Sequence, residues 1–385
     1  MHVGVIAPEF PPEIGGIQTY AYEFVRELAR RGHPVTVFTR PHSEGEALLP
    51  GVKVVAALKR RRALDRHILR DRDIDVWHVM NAAYAWVALE TAPVVVSVHG
   101  NDFLGPYILV ARPDLQRAPG LWRLSGLCTA LEQSLGRWPT AQLVRRALPK
   151  AAHILANSRY TEQVLLKKYP ACRGITSTAF VGVSSEYLNC ETARTTIGHT
   201  ALITVCRLAE PRKNVDLVIR ALARLKDRYP FSYTVVGDGP LRPGLENLAR
   251  KLGLQGRVRF TGFLDNSALR GLLATSDLFV LTSSINATSH EGFGIAYLEA
   301  NACGVPVLAA RLAGAVEAVD EGDSGFFVDQ PAPEAIAAAL EQFFLQEVKF
   351  DPAGCRAFAA RFTWEKVVDH AVGYYPVQAV ANTIA

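Results

Sequence analysis

The sequence predicts an α/β protein built from two Rossmann-like domains, each with a parallel sheet. Short apolar segments rich in β-branched residues alternate with stretches whose apolar residues recur at helical spacing, the order typical of strand–helix–strand units. A length of 385 residues exceeds what one hydrophobic core usually fills, which favours two domains. Apolar content of 49% is ordinary for a globular protein, and no apolar run reaches the roughly 18 residues of a membrane-spanning helix.

The first domain is expected to begin with a strand at 2–7, a helix at 18–31 and a strand at 35–39. Gly15 and Gly16 precede the helix, where a backbone without Cβ atoms lets a phosphate approach the helix N-terminus. The pair does not complete a Gly-x-Gly-x-x-Gly motif, which weakens a dinucleotide interpretation. A plain strand-to-helix turn is the alternative.

Polar residues follow a buried strand later in the first domain. Further strands are expected at 52–57, 75–79, 94–98 and 153–156. The strand at 94–98 is followed by His99, Asn101 and Asp102. Because ligands of open parallel sheets gather beyond the carboxyl ends of the strands, these three residues are candidate binding residues. A lone histidine is more often structural, so a packing role for His99 stays open.

Residues 103–140 are weakly patterned and contain several prolines. A long segment of this kind in a compact domain is usually a functional lid or a mobile stretch, and we expect it to line an acceptor site. The first domain is predicted at residues 1–187 and the second at 188–363.

Two cations follow the first strand of the second domain. The strand at 201–205 leads to Arg207 and Lys213, and a helix is expected at 215–224. Two fixed cations at the carboxyl edge of a sheet can neutralise a diphosphate and the charge that grows as it leaves. Surface cations at a turn are the alternative. Further strands are expected at 233–236, 258–260, 278–282, 305–309 and 325–328.

The stretch at 289–304 carries the strongest chemical signal. Glu291 and Glu299 flank a Gly-Phe-Gly turn and the start of an apolar run at 295–302, which predicts a buried helix with Gly304 as its C-cap. The N–H groups that precede this helix suit an anion or sugar oxygens. Two acceptors on either side of a row of donors fit a long ligand with hydroxyls at both ends and phosphates between them. An acidic loop followed by an ordinary helix is the alternative.

This stretch resembles the signature of the retaining glycosyltransferases of the GT-B fold, most closely glycosyltransferase family 4 of the bacterial polysaccharide type. There a first Glu is followed by Gly or Ser, by Phe-Gly and, after seven intervening residues, by a second Glu. The resemblance spans nearly the whole chain. It implies two Rossmann-like domains whose sheets face each other across a deep cleft, and a terminal helix at about 364–385 that crosses back to the first domain.

The resemblance also implies roles for individual residues. Glu291 would hold the hydroxyls of a donor sugar, and Glu299 would hold the ribose of its nucleotide. Arg207, Lys213 and His99 would act with Glu291 in catalysis. The other implied contacts are, for the donor, Gly15, Gly16, Gly237, Phe263, Leu264, Gly292, Phe293, Gly294 and Ile295, and, for the acceptor, Asn101 and Asp102.

The sequence departs from the family pattern in three places. Where the family usually has Asn-Gly-Val-Asp, this chain has Val-Gly-Val-Ser at 181–184, which puts the usual Asn contact in doubt. Asn214 follows Lys213 where glycine is common, and the loop at 283–290 is slightly longer than usual.

The reaction implied by the resemblance is a retaining transfer of a hexose from a nucleotide diphosphate sugar, with a GDP-mannose-like donor favoured. The acceptor would be a growing, lipid-linked glycan in the synthesis of cell-surface polysaccharide or lipopolysaccharide. No carboxylate is placed as a nucleophile on the far face of the donor. The resemblance implies front-face substitution, with an oxygen of the leaving phosphate taking the acceptor proton. No Asp-x-Asp motif appears in the second domain, so we expect neither a metal nor another cofactor.

Other functions remain open on the sequence. One is a UDP-hexose-dependent transferase that acts on a small molecule or a lipid. Another, of a different class, is a non-catalytic nucleotide-sugar-binding partner in a polysaccharide assembly complex, and the intact Glu291, Glu299, Arg207 and Lys213 argue against it. A dinucleotide oxidoreductase would carry the glycine-rich fingerprint and an acidic residue about 20 positions later, and neither half of the chain does.

Charge and cysteine usage bear on the location of the protein. The net charge is +5, and the positive excess lies in the first half, mostly within residues 59–72. This run could dock on anionic lipid headgroups at about 1 kcal/mol per basic residue, or it could be a solvated face. Nucleic acid is not expected, because interleaved aromatic residues are missing. Six cysteines without a Cys-x-x-Cys pair, and an N-terminus without a basic region, predict a cytoplasmic protein, peripheral at the inner face of the membrane. The basic residues of the run are Lys59, Arg60, Arg61, Arg62, Arg66, Arg70 and Arg72.

Overall fold

The chain divides into two compact units. The structure, a computed structural model, describes residues 1–12, 15–41, 49–59, 62–69, 73–106, 139–190 and 198–376. The first unit is Met1–Phe180 with Glu365–Ala385, and the second is Val181–Trp364. The division falls a few residues before the predicted boundary at 187, since Val183 forms a β-bridge with Thr363 inside the second unit.

Some predictions fall outside the described residues. They concern most of the predicted lid, at 107–138, the end of the terminal helix, at 377–385, and part of the basic run. The members of that run concerned are Arg60, Arg61, Arg70 and Arg72.

The first unit contains a seven-stranded sheet. Its strands are β1 (Val3–Ile6), β2 (Val35–Thr39), β3 (Val52–Ala56), β4 (Val76–Val79), β5 (Val94–Val98), β6 (His153–Ala156) and β7 (Thr176–Thr178). The order is β3-β2-β1-β4-β5-β6-β7, and every pair is parallel. Strands β1, β2, β4, β5 and β6 are buried throughout, as expected for a sheet covered on both faces.

Helices of the first unit pack on this sheet, and several of them begin beyond the carboxyl end of the strand that precedes them. They are α1 (Gly16–Arg30), α2 (Arg62–Asp65), α3 (Asn101–Leu104), α4 (Arg159–Lys168) and a helical stretch at 139–147, with 3-10 turns at Arg66–Leu69, Ala82–Leu89, Leu148–Lys150 and Pro170–Cys172. Helix α1 buries Phe24 and Leu28 in the core. The Ser158 Oγ accepts a 3.0 Å hydrogen bond from the Thr161 backbone N–H and so caps the start of α4.

The second unit contains a six-stranded parallel sheet. Its strands are β8 (Thr200–Val205), β9 (Phe231–Val236), β10 (Val258–Gly262), β11 (Leu278–Leu281), β12 (Val307–Ala310) and β13 (Gly325–Val328). The order is β10-β9-β8-β11-β12-β13. The strand order changes direction between β8 and β11, and parallel sheets bind ligands at such a switch point. The loops that follow β8 and β11 are therefore the place to look for a site.

The helices of the second unit pack their apolar faces onto this sheet. They are α5 (Ser185–Leu188), α6 (Val215–Leu225), α7 (Arg242–Lys251), α8 (Asn266–Ala274), α9 (Ile295–Ala302), α10 (Ala315–Ala318), α11 (Pro333–Phe344) and α12 (Pro352–Ala359), with a 3-10 turn at Pro211–Lys213. Val218, Ile219 and Leu222 of α6 share one buried cluster with Ile336 and Leu340 of α11.

The last helix, α13 (Trp364–Val372), begins at the end of the second unit, and its remaining residues belong to the first unit. Within the first unit, Asp369 lies 2.5 Å from the Arg31 guanidinium. The Ser177 Oγ and His370 Nε2 lie 2.7 Å apart. These contacts fix α13 on the first unit.

The parallel α/β organisation predicted from the sequence is confirmed in both units. The boundaries differ at some ends, and β12 gives the physical reason for one of them. Its strand was expected from 305, but the Val305 N–H donates to the Ala300 oxygen as part of the end of α9, so the strand begins at Val307. Gly304 has φ +75° just after α9, as predicted for its C-cap.

Candidate active site

Glu291 lies in the loop between β11 and α9, at the switch point of the second sheet. It is 8% exposed, and its Oε2 is crowded by donors. The Lys213 Nζ lies 2.7 Å from Oε2, and the Ser283 Oγ donates to the same oxygen at 2.8 Å. The Arg212 Nη1 lies 3.6 Å from it. Oε1 has no hydrogen-bond partner in the described part of the chain, so one carboxylate oxygen is fixed and the other can accept from a ligand.

Glu291 is held in its ionised form. Burial raises the pKa of this carboxyl, but the charges of Lys213 and Arg212 and the hydrogen bonds from Lys213 and Ser283 outweigh burial and lower it to about 2. At neutral pH the site therefore presents a carboxylate, which is a strong acceptor for sugar hydroxyl groups.

The backbone between Glu291 and α9 requires glycine at 294. Gly294 is the N-cap of α9 with φ +100°, and a Cβ at this position would lie 2.3 Å from the Tyr297 ring. The Tyr297 hydroxyl donates to the Leu281 oxygen at 2.9 Å, which ties α9 to the end of β11. The turn predicted to lie between the two glutamates is thus rigidly placed.

The other predicted residues of this stretch differ in how far they are exposed. Glu299 and Ile295 lie on α9 and are partly exposed, as a ligand contact requires. Gly292 is buried, and Phe293 is buried with its ring centroid 5.4 Å from that of Phe362. The Phe293 side chain is therefore part of the core, and only its backbone could contact a donor.

The two predicted cations differ in their surroundings. Lys213 is half-buried and engaged with Glu291, whereas Arg207 is exposed and makes no ion pair with a described residue. A cavity of about 380 Å³ borders both side chains, and its apolar lining includes Leu208 and Leu245. The two cations therefore border one space, but only Lys213 connects that space to Glu291.

The remaining predicted donor contacts of the second unit lie on neighbouring loops. Gly237 follows β9 with φ +126°, and a Cβ there would lie 2.0 Å from the Cys206 oxygen, so glycine is needed for close packing of two backbones. After β10, Phe263 is 52% exposed and Leu264 is half-buried. An exposed aromatic ring of this kind offers a flat apolar face to a nucleobase.

Sequence reasoning missed the residues that support Glu291 from behind. Arg212 is buried and lies next to Lys213, and Ser283 and Ser289 lie in the long loop before Glu291. Asn214 has φ +56° and donates from Nδ2 to the Thr282 oxygen at 2.6 Å. Asparagine tolerates this left-handed conformation, which explains how it stands where glycine is common. Two features of the sequence could have pointed to these residues: the long loop at 283–290, and the asparagine at position 214 where the family commonly has glycine.

In the first unit, His99 and Asp102 lie at the carboxyl end of β5. The Asp102 Oδ1 accepts from the His99 N–H at 3.0 Å, and Oδ2 accepts from the Ala82 N–H at 2.9 Å. Both oxygens of this predicted acceptor contact thus already hold the local backbone. Asn101, the other predicted acceptor contact, is partly exposed on α3.

His99 is buried and neutral. Burial lowers the pKa of its imidazole, against an opposing effect of the Asp102 charge. The Tyr20 ring packs against it with centroids 4.6 Å apart, and its Nε2 has no partner among the described residues. The same is true of two further buried atoms in this unit, the Gln18 Oε1 of α1 and the Asn157 Oδ1 that follows β6. Sequence reasoning did not single out Gln18 or Asn157.

The predicted glycine pair stands at the start of α1. Gly15 is the N-cap with extended backbone, and Gly16 is exposed, with open space where a Cβ would lie. The structure does not require glycine at 16 for packing. A close approach of a ligand to this helix end therefore stays a prediction.

Two family models match the chain in succession. The one described as Glycosyltransferase Family 4 matches residues 14–176, and the one described as Glycosyl transferases group 1 matches residues 198–354. The chain belongs to glycosyltransferase family 4. It is a glycosyltransferase of the GT-B fold class, as the sequence signature predicted.

Relatives of this family 4 enzyme include proteins whose names contain an inositol compound. It is 28% identical to the GDP-mannose-dependent alpha-(1-6)-phosphatidylinositol monomannoside mannosyltransferase of Mycolicibacterium smegmatis, over 87% of each chain. It is 27% identical to the D-inositol 3-phosphate glycosyltransferase of Gordonia bronchialis, over 97% of this chain and 86% of the relative.

Solved structures share the fold at lower identity. The Anabaena protein HepE, solved in complex with UDP-glucose, matches with a TM-score of 0.72 at 19% identity, and the match covers 97% of this chain and 98% of HepE. In the described part of the family 4 chain, no helix combines the length and the apolar character needed to cross a membrane.

Proposed function

We propose that this enzyme is a retaining mannosyltransferase that transfers mannose from GDP-mannose to a lipid-linked acceptor in the synthesis of a cell-surface glycan. The observation that carries the proposal is the buried, ionised Glu291, with Oε2 fixed by Lys213 and Ser283 and Oε1 without a hydrogen-bond partner in the described part of the chain. The mycobacterial relative supports the donor and the lipid acceptor, because its name gives both.

In this reaction some residues position the donor, and others stabilise the charge of the leaving phosphate. Glu291 accepts hydrogen bonds from the donor hydroxyls and fixes the sugar, and Glu299 holds the ribose. The bond between the anomeric carbon and the phosphate oxygen breaks, and a bond to the acceptor oxygen forms on the same face. The acceptor proton passes to the leaving phosphate oxygen, while Arg207 and Lys213 stabilise its charge.

In the first unit, the acceptor is expected to meet groups that hydrogen-bond without carrying charge. The buried atoms His99 Nε2, Gln18 Oε1 and Asn157 Oδ1 suit hydroxyl groups of a polyol. A polyol such as inositol, present in the substrates that name two of the relatives, has this chemistry.

Metal independence is part of the proposal. Two cations near the phosphates supply the charge that a divalent ion would otherwise supply. Enzyme treated with EDTA should keep its full activity. Loss of activity that Mg²⁺ or Mn²⁺ restores would show this part of the proposal to be wrong.

Contact with the membrane is proposed through a surface of the first unit that consists of Arg62, Leu64, Arg66 and Leu89. Leu64 is 46% exposed and Leu89 is 38% exposed, which places apolar side chains beside two cations. Arg62 and Arg66 both pair with Glu90, at 2.5 and 2.7 Å, so this carboxylate reduces their charge. Cosedimentation with vesicles containing phosphatidylserine should be stronger than with neutral vesicles, and the L64E/L89E variant should lose the difference.

The function is tested by a matrix of donors and acceptors. Purified enzyme is incubated with GDP-mannose or UDP-glucose, and with phosphatidylinositol monomannoside or inositol 3-phosphate. Turnover with GDP-mannose and the lipid, with an α-linked product by NMR, is the expected result. If UDP-glucose were turned over and GDP-mannose were not, the donor would be a UDP-hexose and not GDP-mannose. A β-linked product would exclude a retaining mechanism. Binding without transfer or slow donor hydrolysis would indicate a non-catalytic binder.

A further inference from the structure

Arg212 is a buried guanidinium beside Glu291, and it has no part in the binding and catalytic steps proposed above. We infer that Arg212 is a positioning residue that holds Glu291 in the orientation that recognises the donor sugar, and that it does not bind the diphosphate. This inference rests on the proposed function, because it takes Glu291 as the group that receives the sugar.

The first support is where the nitrogens of Arg212 point. Its side chain is 7% exposed. The Nε lies 2.7 Å from Glu210 Oε2 and 2.7 Å from Ser289 Oγ. Nη1 is buried, has no hydrogen-bond partner among the described residues, and lies 3.6 Å from Glu291 Oε2. The guanidinium therefore faces protein acceptors, unlike the exposed Arg207.

The second support is that Arg212 joins two chain segments that are distant in sequence. Ser289 is 77 positions from Arg212, and it stands two residues before Glu291. The backbone adds to this link, since the Ser284 N–H donates to the Arg212 oxygen at 2.7 Å. Asn214 donates from Nδ2 to the Ser284 Oγ at 2.7 Å. The turn after β8 and the long loop before Glu291 are thus fastened at several points.

The third support is the chemistry of the two neighbouring cations. Lys213 contacts Glu291 Oε2 at 2.7 Å through an ammonium on a flexible stem, which by itself does not fix a direction. Arg212 has a planar, rigid group whose Nε is fixed by Glu210 and Ser289. It holds a positive charge at a defined place behind Oε2, which keeps that oxygen turned inward and Oε1 free for the sugar.

The test separates recognition of the sugar from recognition of the phosphates. Isothermal titration calorimetry measures the binding of GDP-mannose and of GDP to the wild type, Arg212→Met and the matched control Arg259→Met, at an exposed arginine of β10. In Arg212→Met the affinity for GDP-mannose should fall about tenfold, the size typical of losing an interaction with a charged group, while that for GDP stays unchanged. Arg259→Met should match the wild type.

Two further variants keep the test independent of folding. Arg212→Lys retains a cation but cannot reproduce the Nε contacts, so it should recover part of the lost affinity for GDP-mannose. Ser289→Ala removes a hydroxyl that accepts from the Arg212 Nε and donates to Glu210 Oε2 at 3.2 Å, while the Arg212 guanidinium itself stays in place. A fall of about threefold in the same affinity is expected, with an unchanged melting temperature.

Equal losses for GDP and GDP-mannose in Arg212→Met would show that Arg212 binds the diphosphate and would overturn the inference. So would unchanged binding of both ligands in a folded Arg212→Met. The wild-type titrations decide the proposed function separately. If the wild type bound no nucleotide sugar, the proposed function would fail, and the inference would fail with it.

Discussion

The carboxyl edges of the two sheets present opposite kinds of polar group. In the second unit, Glu291 is charged, and its Oε2 is surrounded by Lys213, Arg212 and Ser283. In the first unit, His99 and Gln18 are buried and neutral, and each keeps a polar atom without a partner among the described residues. The group at the centre of the second edge is thus a fixed charge, whereas these two groups of the first edge are neutral and keep hydrogen-bonding capacity.

Under the proposed function, this difference would adapt one kind of parallel-sheet scaffold to two parts of one reaction. A phosphorylated donor carries charge, and fixed cations stabilise it best where water is excluded. A hydroxyl acceptor carries none, and buried neutral groups left without partners gain most from hydrogen bonding to it. The predictions below test this contrast, from the largest expected effect to the smallest.

Removing the charge of Glu291 should have the largest effect. Glu291→Gln keeps the shape but loses the carboxylate, so kcat/KM for the donor should fall about 10³-fold, comparable to losing a preorganised charged contact in other active sites. Steady-state kinetics at saturating acceptor measure it. Glu334→Gln, at an exposed position of α11, should leave the rate unchanged. Near wild-type kinetics for Glu291→Gln would show that the charge of Glu291 has no part in the mechanism.

Removing Lys213 should make activity sensitive to acid. The pKa of Glu291 is lowered to about 2, from an ordinary 4.5, chiefly because Lys213 and Arg212 outweigh the opposing effect of burial. In Lys213→Met this pKa should rise, so the active carboxylate is lost at a higher pH as the pH falls. We expect kcat/KM to drop about 10²-fold at pH 7 and its acid limb to move upward. Lys167→Met is the exposed control, and an unmoved acid limb would contradict the assignment.

Asp102 should matter for stability more than for the acceptor. Its two oxygens accept from the His99 and Ala82 N–H groups. An amide cannot replace both acceptors, so Asp102→Asn should lower the free energy of unfolding by about 1–3 kcal/mol in urea titrations. The exposed Asp227→Asn should cost little. An unchanged unfolding midpoint with a raised acceptor KM would instead favour the acceptor contact predicted from the sequence.

Gln18 should show the reverse pattern. Its Oε1 has no partner among the described residues, so Gln18→Leu should not lower stability. The KM for the acceptor should rise about tenfold, and GDP-mannose affinity should stay the same. The exposed Gln163→Leu serves as control. A change in donor affinity without a change in acceptor KM would contradict the proposal that this edge of the first sheet binds the acceptor.

The parts of the molecule that depend on local pattern could be predicted from the sequence. Strand β13 has the predicted bounds, Gly325–Val328, because its apolar residues are flanked by clear turn signals. Glu291 and Glu299 were found because their spacing on a loop and the following helix is itself a local signature. The roles that the resemblance implies for them stay predictions.

The supporting contacts could not be predicted, because they join residues that are far apart in sequence. The contact of Arg212 with Ser289 spans 77 positions, and that of Asp102 with Ala82 spans 20. No periodicity encodes such pairs, and tertiary packing alone brings them together. For the same reason, the sequence did not show that Asp102 accepts from the backbone N–H groups of His99 and Ala82, and its contact with an acceptor stays a prediction.

The ammonium of Lys213 has a consequence for how the enzyme tells donors apart. It carries three N–H bonds, and Glu291 Oε2 occupies one of them. In the proposed donor complex the remaining two N–H bonds would be available to phosphate oxygens. A single side chain would then connect the carboxylate that binds the sugar to the phosphates. A ligand with only the sugar or only the phosphates would make part of these contacts and would bind more weakly. The Lys213 ammonium would in this way favour a donor in which sugar and phosphate are still linked.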